Sequence, residues 1–191
     1  MRPYSGYKAE RKSARETLPA GGYVAKILDA KEVTYTWGSV LVISFDITEG
    51  QYRDFFANDY RANSNEDKKW RGTYRLNVPK DDGTEKDGWT KNTFNGAMWA
   101  IEESNPGYRW AWDENSLKGK AVGVIFREKE WEKDGKSGWF TECGMLETVD
   151  KIRSGDFKPL KPKALPEKPV AAPAWSPAGA AIDISDGDLP F

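Results

Sequence analysis

The chain has 191 residues, with Lys+Arg 29 against Asp+Glu 30, a formal net charge of −1, no histidine and one cysteine. That length fits one folded domain with an appendage. The counts exclude Ser-His-Asp triads, Cys-His dyads, the usual zinc sites and an intrachain disulfide, whereas carboxylate chemistry with Mg²⁺ stays open. Trp 9, Tyr 8 and Phe 8 make 13% aromatic in a chain that is 31% charged. A polar chain so rich in rings buries some of them and displays others.

Met1 to Glu16 is polar and carries no apolar h-region, and no run approaches the ~18 apolar residues of a membrane span. With Cys143 read as a reduced, buried thiol, the expectation is a cytoplasmic protein without a membrane segment. Residues 1–18 form a basic arm: Arg2, Lys8, Arg11, Lys12 and Arg15 stand against Glu10 and Glu16. Leu18-Pro19-Ala20-Gly21-Gly22 is a breaker cluster at the entry to the folded body.

The body reads mainly as β. Tyr23 to Val33 is a first strand, and Tyr35-Thr36-Trp37-Gly38 a turn. Val40 to Thr48 alternates cleanly: Leu41, Ile43, Phe45 and Ile47 share one face, and Val42, Ser44, Asp46 and Thr48 the other. Tyr52 to Phe56 reads as a third strand after the Glu49-Gly50 turn. Asn63 to Lys69 is a polar loop, Gly72 to Val78 can continue the sheet, and Pro79 to Gly88 is a charged loop. The period then changes. Phe94, Ala97, Met98 and Ile101 fall at i, i+3, i+4, i+7, a helical stripe that Asn105-Pro106-Gly107 ends. Ala121 to Arg127 returns to β, Lys133-Asp134-Gly135-Lys136 is a hairpin signal, and Trp139 to Glu147 is the last strand.

This order predicts a mainly β domain over 19–158: a five-stranded OB-fold-like barrel with one helix between strands 3 and 4. A β-sandwich with an inserted helix is the competing arrangement. From Pro159 to Ala181 there are 6 Pro and 7 Ala in 23 residues. Proline at that density blocks helices and ladders, so 159–181 reads as an extended, disordered linker. Residues 182–191 form an ending with three acids, Asp183, Asp186 and Asp188, and an apolar tip, Leu189, Pro190 and Phe191.

The terminal Asp186-Gly187-Asp188-Leu189-Pro190-Phe191 resembles the acidic tip of bacterial single-stranded DNA-binding proteins, which also follows a Pro/Ala-rich linker. The body is more similar to phage-encoded members of that class, in Leu18-Pro19-Ala20-Gly21-Gly22-Tyr23 and in Ile43-Ser44-Phe45-Asp46-Ile47-Thr48-Glu49-Gly50. The resemblance implies an OB-fold body that binds single-stranded DNA. It also implies a tip, with Asp183, Asp186, Asp188, Leu189, Pro190 and Phe191, that docks onto replication or recombination proteins such as a helicase, primase, polymerase or recombinase. Homo-oligomers are common in such proteins.

Sequence-tolerant binding of single strands needs cations along the phosphates and aromatic faces for the bases. Residues 51–80 interleave both. Arg53, Arg61, Lys68, Lys69, Arg71, Arg75 and Lys80 face four acids, among Tyr52, Phe55, Phe56, Tyr60, Trp70 and Tyr74. The first turn adds Tyr35 and Trp37. The last hairpin adds Lys129, Trp131, Lys133, Lys136 and Trp139. The candidate DNA contacts are therefore Tyr35, Trp37, Tyr52, Arg53, Phe55, Tyr60, Arg61, Lys68, Lys69, Trp70, Arg71, Tyr74, Arg75, Trp131, Lys133 and Trp139. Phe45, Phe94 and Phe126 lie on apolar stripes and read as core, and Trp99, Trp110 and Trp112 as packing over a barrel end. No cofactor, metal or catalytic residue is expected. An RNA- or glycan-binding OB module is the alternative. A Mg²⁺-dependent nuclease built on Glu102-Glu103 or Asp81-Asp82 is the weaker one, because adjacent acids on a strand point apart.

Overall fold

A computed structural model describes residues 17–166. The arm up to residue 16, the linker from residue 167 and the acidic tip lie outside the described residues. Five strands form one antiparallel sheet in the order β3-β2-β1-β4-β5. In chain order they are β1 (Gly21–Tyr35), β2 (Gly38–Ile47), β3 (Thr73–Asn77), β4 (Ala121–Lys133) and β5 (Lys136–Glu147). Helix α1 (Phe55–Ala62) sits between β2 and β3, α2 (Glu85–Ser104) between β3 and β4, and α3 (Val149–Ser154) after β5. The fold is mainly β, with a helix between strands 3 and 4. The sheet is not closed: no ladder joins β3 to β5 among the described residues. None of the described helices is long and apolar enough to cross a membrane.

The alternation in β2 sets the core. Leu41, Ile43, Phe45 and Ile47 are all buried, and each such side chain contributes roughly 1.5–3 kcal/mol when removed from water. The α2 stripe of Phe94, Ala97, Met98 and Ile101 packs into the same cluster. Helix α2 starts at Glu85, inside the span expected to be a loop. Thr84 caps it, its hydroxyl accepting from the Asp87 N–H at 3.2 Å. The β4–β5 turn forms where expected, with Asp134 at φ 51° and Gly135 at φ 71°. Two positive φ values are what a two-residue type I′ turn requires.

Two expectations are corrected. Tyr52 to Phe56 is not a strand: Tyr52 lies in a turn and Phe55 opens α1. The cause is distant in sequence. The buried Asp46 carboxylate of β2 accepts from the backbone N–H groups of Phe56 at 3.0 Å and Ala57 at 2.9 Å, supplying the N-terminal acceptor that Asp54 does not. Phe56 then enters the core, edge-on to Phe45 at 5.9 Å. The second correction concerns the start of the linker. Lys163 forms a parallel bridge to Lys129, exchanging backbone hydrogen bonds with Glu128 and Glu130 at 2.9 Å each. β1 pairs with β4 only from Ala121 to Phe126, which leaves the outer edge of β4 for this segment.

Candidate nucleic-acid interface

The registers sort side chains between two sides of the sheet. Ala25, Ile27 and Ala30 of β1 and Val122, Val124 and Phe126 of β4 belong to the core, so they mark its inner side. A bulge between Ile27 and Asp29 shifts the phase of β1, placing Lys31, Val33 and Tyr35 outward. On β4, Arg127, Lys129, Trp131 and Lys133 point outward by the same alternation. Both sets therefore lie on the side of the sheet away from the core.

The first outward group is at the β1–β2 turn. Tyr35 and Trp37 stack with centroids 5.2 Å apart and planes 6° apart, and Trp37 is 56% exposed. Arg75 of β3 donates from Nη2 to the Tyr35 hydroxyl at 2.7 Å. The register Lys31↔Val42↔Arg75 puts two cations in one row across three strands. Lys31 is exposed and was not singled out by sequence patterning. Its signal is present: it is two residues after Asp29 and four before Tyr35, on the outward alternation.

The second outward group is on the β4–β5 hairpin. Pairs Arg127↔Glu142, Lys129↔Phe140, Trp131↔Gly138 and Lys133↔Lys136 share one face. Glu142 holds both Arg127, at 2.9 Å, and Lys129, at 2.7 Å. Burial pushes the Glu142 carboxyl up, but the hydrogen bonds from Lys129 and Arg127 outweigh it and hold it below the usual range. Lys133 and Lys136 extend this face to the exposed tip. The Trp131 indole packs against Gly138; a Cβ there would sit 3.0 Å from Nε1, a contact tight enough that the ring would have to shift. Trp139 pairs with Glu130 and sits on the opposite face with Glu128 and Glu132. Trp131 and Trp139 therefore do not form one stacking surface.

The candidates from 51–80 separate into three settings. Tyr60, Lys68 and Trp70 come together, with rings 5.8 Å apart and the Lys68 ammonium 4.5 Å above Tyr60. The Trp70 Nε1–H donates to the Phe45 and Gly72 carbonyls at 3.1 Å, which anchors its ring partly against the core. Arg53, Arg61 and Arg71 are exposed but engaged, with Asp54 at 3.7 Å, Asn58 at 2.8 Å and Asp59 at 3.6 Å respectively; Lys69 is exposed. Tyr52 and Phe55 pack against the core, edge-on to each other at 6.0 Å.

Tyr74 is corrected outright. It pairs with Ile43 on the inner side and is buried in the core, which removes it from the stacking set. Burial, with Cys143 beside it, pushes its hydroxyl up to about 12. Cys143 itself is a free, half-buried thiol that burial pushes up. Of the three tryptophans read as packing over an end, Trp110 packs against the core, while Trp99 is 49% and Trp112 71% exposed. Trp112 stacks on Phe94 at 5.7 Å. Trp89 on α2 is exposed as well, and nothing in the local pattern distinguishes it from a buried ring. Three of the four acids weighed for a nuclease are engaged within the fold. Asp81 pairs with Lys91, Asp82 accepts from Thr84, and Glu102 accepts from the Trp110 N–H at 2.7 Å. The tip residues Asp183, Asp186, Asp188, Leu189, Pro190 and Phe191 lie outside the described residues.

No protein-family model matches the chain, and no curated protein matches it.

Proposed function

We propose that this chain is a sequence-nonspecific single-stranded DNA-binding protein with an OB-fold-like body. It coats and protects transient single strands during DNA replication or recombination, in a phage or bacterial setting. Its C-terminal tip recruits a replication or repair protein. The observation that carries this reading is the placement of two aromatic and cationic groups, Trp37–Tyr35–Arg75 and Trp131–Lys133–Lys136, on the side of one sheet away from the core. Exposed rings beside cations that make no salt bridge among the described residues meet the two needs of sequence-tolerant strand binding, a stacking platform and phosphate neutralisation. The strand order, with a helix between β3 and β4, supports the OB-like assignment. The acidic stretch with its Leu189-Pro190-Phe191 supports the recruiting role, since apolar side chains beside acids suit an apolar pocket edged by cations.

A competition assay tests it. A fluorescent oligo-dT bound to the full chain is challenged with unlabelled oligo-dT, duplex DNA, RNA and an oligosaccharide. Oligo-dT is expected to displace the probe efficiently and duplex poorly. Preferential displacement by RNA or by the sugar would transfer the reading to another kind of OB module. Loss of the probe through Mg²⁺-dependent cleavage would make the protein a nuclease. Deleting residues 183–191 is expected to leave oligo-dT binding intact and to abolish capture of the recruited protein.

A further inference from the structure

We propose that the pocket at the root of the β1–β2 turn holds one nucleotide of the bound strand, its base against Trp37 and its phosphate against Lys80 and Lys86. This rests on the single-strand reading above and adds two residues to it. The pocket has a volume of about 140 Å³ and lies between the turn, the end of β3 and the first turns of α2. That is well below the ~300 Å³ lower end of drug-sized ligand sites, so only part of one nucleotide enters it and the rest lies along its rim.

Three features point to that ligand. Trp37 lines the pocket and is 56% exposed, and Tyr35 covers only one face of its ring. Lys80 and Lys86 line it too, and neither has a salt bridge among the described residues. The Lys80 stem runs under Gly38: a Cβ there would meet its Cε at 3.0 Å and its Nζ at 3.8 Å. Gly38 has φ +146°, which disfavours a side chain independently, so the glycine leaves room for the Lys80 stem along the pocket.

The acids in the lining are accounted for. Asp87 is buried; its Oδ1 accepts from the Lys80 backbone N–H at 2.8 Å, and its Oδ2 lies 3.2 Å from the Lys91 ammonium. It therefore fixes the Lys80 backbone while Lys91 balances its charge. Asp82 is exposed and accepts from the Thr84 hydroxyl and backbone N–H, which hold its carboxyl below the usual range. It is ionised at neutral pH and opposes a phosphate.

The opposed signs give the test. Oligo-dT affinity is measured against salt for the full chain and for Lys80→Met, Lys86→Gln and Asp82→Asn, with melting temperature as the check on folding. Each lysine variant is expected to bind more weakly at low salt. Its log affinity against log salt should be shallower by about 0.7, the value of one single-strand phosphate contact. Asp82→Asn is expected to bind more tightly at low salt, since its amide oxygen still accepts from Thr84 while the opposing charge is gone. A purely structural role would move the melting temperature and leave the salt slope alone. Unchanged slopes in both lysine variants, or weaker binding by Asp82→Asn, would overturn the pocket while leaving the single-strand reading standing. A wild-type chain that does not bind oligo-dT at all would overturn both.

Discussion

The two faces of the β4–β5 hairpin carry one tryptophan each and opposite charge. Outward, Trp131 stands among Arg127, Lys129, Lys133 and Lys136, with Glu142 as the single acid, so the face is net +3. Inward, Trp139 stands with Glu128, Glu130 and Glu132, a face of net −3. Along the chain the same residues average to near neutrality and look like one aromatic loop. Strand alternation separates them, and a nucleic acid meets the faces, not the average. The same sorting applies across the sheet, where Tyr35 points out and Tyr74 points in.

The largest effect expected from this contrast is on stability. Tyr74→Ala should cost about 3–5 kcal/mol, as for other large buried rings, whereas Tyr35→Ala should stay within about 0.5 kcal/mol. Denaturant unfolding reads both, and equal midpoints would place Tyr74 outside the core. Next comes DNA binding. Trp131→Ala should lose about 1–3 kcal/mol, or roughly 5- to 150-fold in affinity for oligo-dT, while Trp139→Ala changes it less than about twofold. An equal loss from both would erase the distinction between the faces.

Smaller still is the charge effect. Lys133→Gln and Lys136→Gln should each make the salt slope shallower by about 0.7, and Glu128→Gln should leave it unchanged. A slope that responds to Glu128 as strongly as to Lys133 would mean that the strand crosses the inward face. The smallest effect is on pH. The Glu142 carboxyl is held low in the folded chain by Lys129 and Arg127, against its burial. Its contribution is present above the ordinary glutamate range and is lost as pH falls through the folded value. Glu142→Gln should therefore have a shallower fall in melting temperature below about pH 4.3 than the parent. Parallel acid profiles would show that the ion pairs on the outward face add nothing to the fold.

What was legible in the sequence was periodic. The period-2 run of β2, the i, i+3, i+4, i+7 stripe of α2 and the Asp134-Gly135 turn each formed as expected, because each signal is local. Helix α1 was not legible, since its N-terminal acceptor, Asp46, lies on another element. Lys163 read as linker because its partner, β4, is about thirty residues upstream, and prolines stand on either side of it at Pro162 and Pro166. The candidate interface was only partly legible. Arg75 came from the mixture of rings and cations in 51–80 and Trp37 from the first turn, but Tyr74 came from the same mixture as Arg75 and is core. The split between Trp131 and Trp139 was within reach. A two-residue turn that pairs Lys133 with Lys136 also pairs Trp131 with Gly138 and Glu130 with Trp139. Trp89 and Trp112 were not, because exposure on a helix or loop depends on what packs nearby.

The measurement that tests the central claim most directly is a tryptophan-fluorescence titration of the full chain with oligo-dT at two salt concentrations. The expected result is quenching that saturates, with an affinity that falls as salt rises, because stacked rings report bases and the slope reports phosphates. Unquenched emission with no binding at low salt would contradict the claim.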